Sequence, residues 1–301
     1  MSKLNPQQLA AVKTIDHPLL VLAGAGSGKT RVITEKIAYL IKQGVAARHI
    51  AAVTFTNKAA REMQHRVSKL LAQGTGRGLR VSTFHSLGLE ILRKEHKALA
   101  YKSTITLFDE QDKLTLLKTL ISHSNQYDPE QVDAYARAIS SWKNAFVPSA
   151  AAITIATAEQ QLAALLYADY SRSLKAYNAV DFDDLILLPV LLLQQHGDIL
   201  EQWQNKLRYL LVDEYQDTNA TQYQLLKLLT GNLGRFTVVG DDDQSIYAWR
   251  GAQPENLMQL QKDFPRLQVI KLEQNYRSTG RILKVANHLI AHNPHVFEKK
   301  L

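Results

Sequence analysis

Short apolar runs alternate with amphipathic stretches along the first third of the chain. Leu19 to Leu22, HIAAVTF at 49–55 and LRVSTF at 79–84 have the length and the Val, Ile and Thr content of buried strands. Between them, residues 30–43 and 58–71 repeat apolar positions at helical spacing. Gly44 ends the first of these helices, and Thr56 and Asn57 can cap the second, whose basic and apolar positions fall on different faces. Residues 5–16 predict a leading helix, with Asn5 as N-cap and Pro6 at its first position. Strand, helix, strand, helix, strand predicts an α/β fold built on a parallel, doubly wound sheet flanked by helices.

From about residue 85 to 194 the pattern becomes helical. Residues 107–121, with a capping signal at Asp109, then 130–146 and 158–178 are amphipathic, and LILLPVLLL at 185–193 reads as buried helix. This stretch is far too short to span a bilayer, and no membrane association is expected. Strand signals return at 208–214, 235–241 and 267–273. Residues 1–84 and 195–275 therefore predict one α/β lobe, with 85–194 as an all-helical insertion.

The first strand runs into AGAGSGKTR, residues 23–31. Gly24, Gly26 and Gly28 allow positive φ and close backbone approach, so N–H groups along Ala25, Gly26, Ser27 and Gly28 can point at an anion. The following helix adds its positive end, Lys29 can reach β and γ phosphates, and the Thr30 hydroxyl can ligate Mg2+. The spacing is that of the P-loop, G-x-x-x-x-G-K-[ST], with Ala23 in place of its first glycine. An ordinary glycine-rich strand-to-helix turn is the plain alternative.

Charge sharpens this reading. Residues 1–105 carry 17 Lys and Arg against 5 Asp and Glu, whereas 106–301 carry 19 against 23, so the basic excess lies with the phosphate turn. Clustered cations suit a polyanion such as nucleic acid, a solvated basic surface being the alternative. The 301 residues contain no cysteine, which excludes disulfides, thiolate zinc sites and cysteine-ligated clusters and is compatible with the cytoplasm. The N-terminus lacks the apolar core of a signal peptide.

Two later strands end in chemistry. RYLLVDEYQD delivers Asp213 and Glu214 to the edge where α/β proteins bind ligands; one acid can hold Mg2+ or its waters opposite Thr30, and the other can orient or deprotonate an attacking water. GDDDQSIYAWRG follows the next strand. Gln244 can sense a γ-phosphate, and Tyr247 and Trp249 with Arg250 can stack bases and pair phosphate, although buried core aromatics fit that segment equally well. Asp241 to Asp243 read better as a helix cap or solvated turn than as a second metal site.

Eight stretches in order, LNPQQ, AGAGSGKTR, TFTNKAAREM, STFHS, DFDDL, LLVDEYQDT, VVGDDDQSIYAWRGA and LEQNYRS, resemble the superfamily 1 DNA helicases of the Rep, PcrA and UvrD group. The resemblance implies a RecA-like ATP-binding lobe of a motor that hydrolyses ATP with Mg2+ and moves 3′ to 5′ along single-stranded DNA, on 3′-tailed or forked duplexes. It implies that Gln8 reads adenine with Arg31 beside the base, that Lys29 and Thr30 bind phosphate and Mg2+, and that Asp213 holds the metal. Glu214 becomes the general base and Gln244 the link from γ-phosphate to DNA. Tyr276 stacks on adenine, and Arg277 faces the γ-phosphate. Phe55, Thr56, Asn57, Lys58, Thr83, His85, Tyr247, Trp249 and Arg250 form the DNA track. In DFDDL, Asp183 and Asp184 stand equally well as structural acids.

By the same resemblance, residues 276–301 begin a second lobe whose later arginine completes the ATP cleft, with replication or repair proteins as possible partners. The resulting expectation is a chain that binds ATP and DNA weakly, hydrolyses slowly and does not unwind. The alternatives are a nucleotide- and single-stranded-DNA-binding module without turnover, and a P-loop enzyme of another kind such as a nucleotide kinase, which has no need of the DEYQD and QSIYAWR pairing.

Overall fold

A computed structural model describes residues 4–231, 234–247, 251–253 and 255–292. The chain divides into two compact units. The first comprises Met1–Phe84, Asp198–Thr218 and Leu226–Leu301, and the second His85–Gly197 with Asn219–Leu225. Eight strands occur among the described residues: β1 Leu19–Ala23, β2 Ile50–Thr54, β3 Arg80–Thr83, β4 Thr106–Leu107, β5 Ala179–Val180, β6 Tyr209–Val212, β7 Phe236–Gly240 and β8 Gln268–Leu272.

In the first unit six of these form a sheet in the order β3-β2-β6-β7-β1-β8. Every pairing is parallel, with Leu20 opposite Val238 on one side and Val269 on the other, and Leu211 opposite both Ala52 and Thr237. Strands β1, β2, β6 and β7 are buried at every position, because helices cover both faces of a parallel sheet, and this is why they read as unbroken apolar runs.

Helices α1 (Pro6–Lys13), α2 (Lys29–Lys42) and α3 (Asn57–Leu70) supply Ala11 and Val12, then Val32, Ile33 and Ile37, then Met63 and Val67 to one core with Leu19, Val21, Ala52 and Leu211. The caps of α1 and α3 follow the sequence: Thr56 Oγ1 accepts from Ala59 N at 3.1 Å, and Asn5 and Gln8 form a reciprocal capping box. Lys36 is wholly buried on α2. Its ammonium donates to the carbonyls of Ala11 (2.9 Å) and Thr14 at the C-terminal end of α1, and burial lowers its pKa to about 7.

The second unit is helical apart from the two-residue parallel pair β4–β5. Its core packs Leu117, Ile139, Trp142, Leu166, Tyr167 and Tyr170, with Trp142 and Tyr167 stacked at 6.1 Å. Gly88 lies so close to the helix Asp184–Gln195 that a Cβ there would stand 1.8 Å from the Leu185 carbonyl oxygen. Among the described residues no helix is long and apolar enough to cross a membrane.

Candidate functional site

All strands of the large sheet run the same way, so the residues after β1, β2, β3, β6, β7 and β8 meet along one rim, the place where α/β sheets bind ligands. After β1 the chain turns at Gly26 (φ 76°) and Gly28 (φ 94°), both left-handed, and α2 begins at Lys29. Ser27 is buried, and its N–H (3.2 Å) and hydroxyl (2.7 Å) both donate to the Gly24 carbonyl, which fixes the turn. A cradle of this form leaves backbone N–H groups for an anion at the positive end of α2.

Three strand ends converge on it. Lys29 Nζ donates to Gln244 Oε1 at 3.0 Å and lies 3.5 Å from Glu214 Oε2, while the Thr30 hydroxyl donates to Asp213 Oδ2 at 3.2 Å. Glu214 takes the left-handed conformation (φ 52°), unusual for a residue with a Cβ, immediately after β6. Burial, reinforced by the charge of Glu214, pushes the Asp213 carboxyl up to about 6, and the same two causes push Asp217 to about 6. Among the described residues, Asp217 Oδ1 has no hydrogen-bond partner.

Glu214 pairs with the Lys29 ammonium, Asp213 is left to the Thr30 hydroxyl, and a divalent cation there would offset the acidic charge. The donor set fits Mg2+, which takes one or two protein oxygens and completes its shell with phosphate and water; Asp213 and Thr30 would supply them. Among the described residues no cluster of three or more His, Cys, Asp or Glu is placed to hold a metal by itself. The carboxylate of Asp241 accepts from Asp243 N (3.3 Å) and from Gln244 Nε2, so it caps its own turn.

The segment after β8 folds onto the phosphate turn. Tyr276 N donates to the Gly26 carbonyl at 2.9 Å, Asn275 Nδ2 donates to the Ala25 carbonyl, and Asn275 Oδ1 accepts from Arg277 N and Ser278 N, both at 2.8 Å. Tyr276 is 56% exposed, and its hydroxyl accepts from Asn5 Nδ2 at 2.9 Å. Asn5 also caps the N–H of Gln8 at 2.7 Å, and Gln8, itself buried, donates Nε2 to the Ser27 carbonyl at 2.9 Å. Gln8, the phosphate turn, Tyr276 and Arg277 are therefore one cluster, with Arg31 half-buried in the first turn of α2.

Gly26 is where the phosphate turn and the 275–277 segment approach most closely. A Cβ there would meet the Arg277 Cβ at 2.6 Å in a backbone conformation that already disfavours side chains. Gly26→Ala is expected to displace the 275–277 segment at a strain cost of about 1–3 kcal/mol and to weaken nucleotide binding by about tenfold or more. A nucleotide titration checks this, and unchanged affinity would contradict it.

Of the candidate DNA residues, Phe55 to Lys58 follow β2, away from the phosphate turn along the rim. Thr56, Asn57 and Lys58 are exposed after β2, and Phe55 is half-buried against Phe84, edge to face at 6.1 Å. Since β2 lies three strand spacings from β1, this segment and the phosphate turn are roughly 14 Å apart along the rim, whereas Tyr247 follows β7, the neighbour of β1. Thr83, at the end of β3, is buried. His85 belongs to the second unit, where its ring meets that of Phe182 at 6.2 Å. Tyr247 is half-buried, and Trp249 and Arg250 lie outside the described residues.

Residue reading alone missed Gln216. Its side chain is 1% exposed, donates to Glu214 Oε2 at 2.9 Å and accepts from Asp241 N at 3.0 Å. The available signal was its place two residues after the acidic pair, in a strand-end turn that reads as polar surface.

Residues 4–265 match the family described as the UvrD/REP helicase N-terminal domain. The chain is similar to the ATP-dependent DNA helicase Rep of Escherichia coli (59% identical over 99% of this chain and 45% of the relative) and of Salmonella typhimurium (60%, 99% and 45%). It is also similar to the ATP-dependent DNA helicase PcrA of Bacillus subtilis (44% identical over 100% of this chain and 41% of the relative), so it spans less than half the length of these relatives. With the phosphate turn, the acidic strand end and the Gln244 turn all inside the matched stretch, the chain belongs to the UvrD/REP helicase family.

Proposed function

We propose that this chain is the ATP-binding part of a DNA helicase, in which hydrolysis of Mg2+-bound ATP drives 3′ to 5′ movement on single-stranded DNA. The single observation that carries the reading is the convergence of Lys29, Glu214 and Gln244 within 3.5 Å beside a P-loop turn. The names of the relatives, ATP-dependent DNA helicases, point the same way.

In this reading Lys29 leaves Glu214 and Gln244 to neutralise the β and γ phosphates, while the N–H groups from Ala25 to Lys29 hold the same oxygens. Mg2+, held by Thr30 and Asp213, would supply charge neutralisation across the phosphates. Glu214, released from the ammonium, accepts a proton from the attacking water, and Gln244 donates its amide to the γ-phosphate. Arg277 brings a second cation, and Gln8, Arg31 and Tyr276 position the adenine. On the DNA side, Phe55 to Lys58, Thr83, His85, Tyr247, Trp249 and Arg250 receive stacked bases and phosphates.

The same proposal assigns residues 1–84 and 195–275 to the first motor lobe and 85–194 to its insertion. It assigns 276–301 to the start of a second lobe, whose helix Gly280–Ile290 exposes Ile282, Val285 and Leu289. A second reading, binding of nucleotide and DNA without turnover, follows if groups needed for catalysis lie in the part of the relatives that this chain does not span.

ATP hydrolysis measured with and without single-stranded DNA separates the possibilities. DNA-stimulated turnover supports the motor, and binding alone supports the second reading. Phosphoryl transfer to a small acceptor would overturn both in favour of a kinase.

A further inference from the structure

Five residues on the rim close on one another in a ring. Lys29 Nζ donates to Gln244 Oε1 (3.0 Å), Gln244 Nε2 donates to Asp241 Oδ2, and the Asp241 N–H donates to Gln216 Oε1 (3.0 Å). Gln216 Nε2 then donates to Glu214 Oε2 (2.9 Å), which lies 3.5 Å from Lys29 Nζ and completes the circuit. Gln216 is 1% exposed, and both ends of its amide are engaged inside the ring. Gly240 carries the imprint of the same fit: a Cβ on this last residue of β7 would stand 3.0 Å from Gln216 Oε1 and 3.3 Å from Gln216 N.

From this geometry we infer that Gln216 is a positioning residue that ties Glu214 to the end of β7, so that the water-activating carboxylate and the phosphate-sensing Gln244 move as one piece. The inference rests on the proposed roles of Glu214 and Gln244 and extends them to a residue that touches neither nucleotide nor water. Two contacts restrain the Glu214 carboxylate, the Lys29 ammonium and the Gln216 amide. A triphosphate draws the ammonium away, because phosphate oxygens carry more charge than one carboxylate and one amide. The ring opens at Lys29, and Gln244, Asp241, Gln216 and Glu214 remain linked in series. The Glu214 side chain is 37% exposed, so without Gln216 it would be free to leave the attack geometry. Ser245 Oγ donates to the Gln216 carbonyl at 3.4 Å, which joins the same link to the segment leading into Tyr247.

Gln216→Met keeps the length of the side chain and removes both hydrogen bonds. In the 301-residue chain we expect affinity for Mg2+-bound ADP to stay within about twofold, while preference for a non-hydrolysable triphosphate analogue over ADP falls about tenfold. Single-turnover hydrolysis, with protein in excess over ATP, should slow by about 10- to 100-fold, and Gly240→Ala should give the same pattern in weaker form. In a Glu214→Gln background, Gln216→Met should slow hydrolysis no further. For a chain that turns over too slowly to time, the binding comparison decides.

Parent-like discrimination and rate in Gln216→Met would overturn the inference. Equal loss of ADP and analogue binding with a lowered melting temperature would overturn it too, since that is the signature of packing alone. A Glu214→Gln variant that hydrolyses like the parent while Gln216→Met still loses discrimination would remove the general-base reading and leave the positional link standing.

Discussion

Glu214→Gln is expected to lower ATP turnover by about 10² to 10⁴-fold while leaving nucleotide affinity intact or higher, the range that a positioned general base contributes. The substitution keeps the shape, and the new carbonyl oxygen can still accept from Gln216. What it removes is the group that takes the proton from water and a negative charge 3.5 Å from Lys29. With that charge gone, Lys29 is released to phosphate at lower cost, so affinity does not fall. Lys29→Ala gives the opposite pattern, because it deletes the cation that the phosphates meet, and affinity itself drops. Measuring kcat beside the dissociation constant of a fluorescent nucleotide separates the two effects. If Glu214→Gln weakened binding and turnover in parallel, Glu214 would be holding nucleotide rather than activating water.

The parts of this site that could be read from sequence are those in which local chain chemistry dictates the structure. The phosphate turn requires left-handed glycines at 26 and 28 and a lysine where the helix begins, and these stand in consecutive positions. Strands β1, β2, β6 and β7 are legible because burial on both faces leaves few polar positions, Thr54 and Thr237 among them. Sheet order was less accessible. No local pattern announces that β6 and β7 lie between β2 and β1, yet that order brings Asp213, Glu214 and Gln244 to Lys29. The roles of Gln216 and Lys36 depend on the same long-range pairing: in sequence they are a polar turn residue and one cation on an amphipathic helix. β4 and β5 are only two residues each, below any periodicity.

DFDDL illustrates the gap further. Asp183 and Asp184 fit a family motif or a structural role equally well, and in sequence Lys143 is one charge among several in the amphipathic stretch 130–146. In the structure Lys143 is 1% exposed, and its ammonium lies 2.8 Å from both Asp181 and Asp184. The Tyr170 hydroxyl donates to Asp181 at 3.0 Å. Asp183 turns instead to Ser140 (2.6 Å) and Asn144 (3.0 Å). Only the three-dimensional packing distinguishes these neighbouring acids.

Lys143→Met is therefore expected to destabilise the helical unit strongly. Burial alone would lower the lysine pKa, but the two carboxylates outweigh it and hold the ammonium charged. Removing that charge leaves Asp181 buried without its cation, a loss of about 3–5 kcal/mol in comparable pairs, which corresponds to a fall on the order of 10 °C in melting temperature. The pH dependence carries the sign. Burial and the neighbouring Asp181 raise Asp184 to about 7, so between about 4 and 7 the folded state binds more protons than the unfolded state. Stability from this group is full below the unfolded value and is lost as pH rises toward 7. Asp184→Asn should flatten that slope. Lys143→Met should steepen it, because Asp181, which Lys143 now holds below its ordinary value, would also rise. Thermal melts followed by circular dichroism from pH 5 to 8 test both. A Lys143→Met protein that melts with the parent at every pH would mean that water or the tyrosine hydroxyls already carry the load assigned to the ammonium.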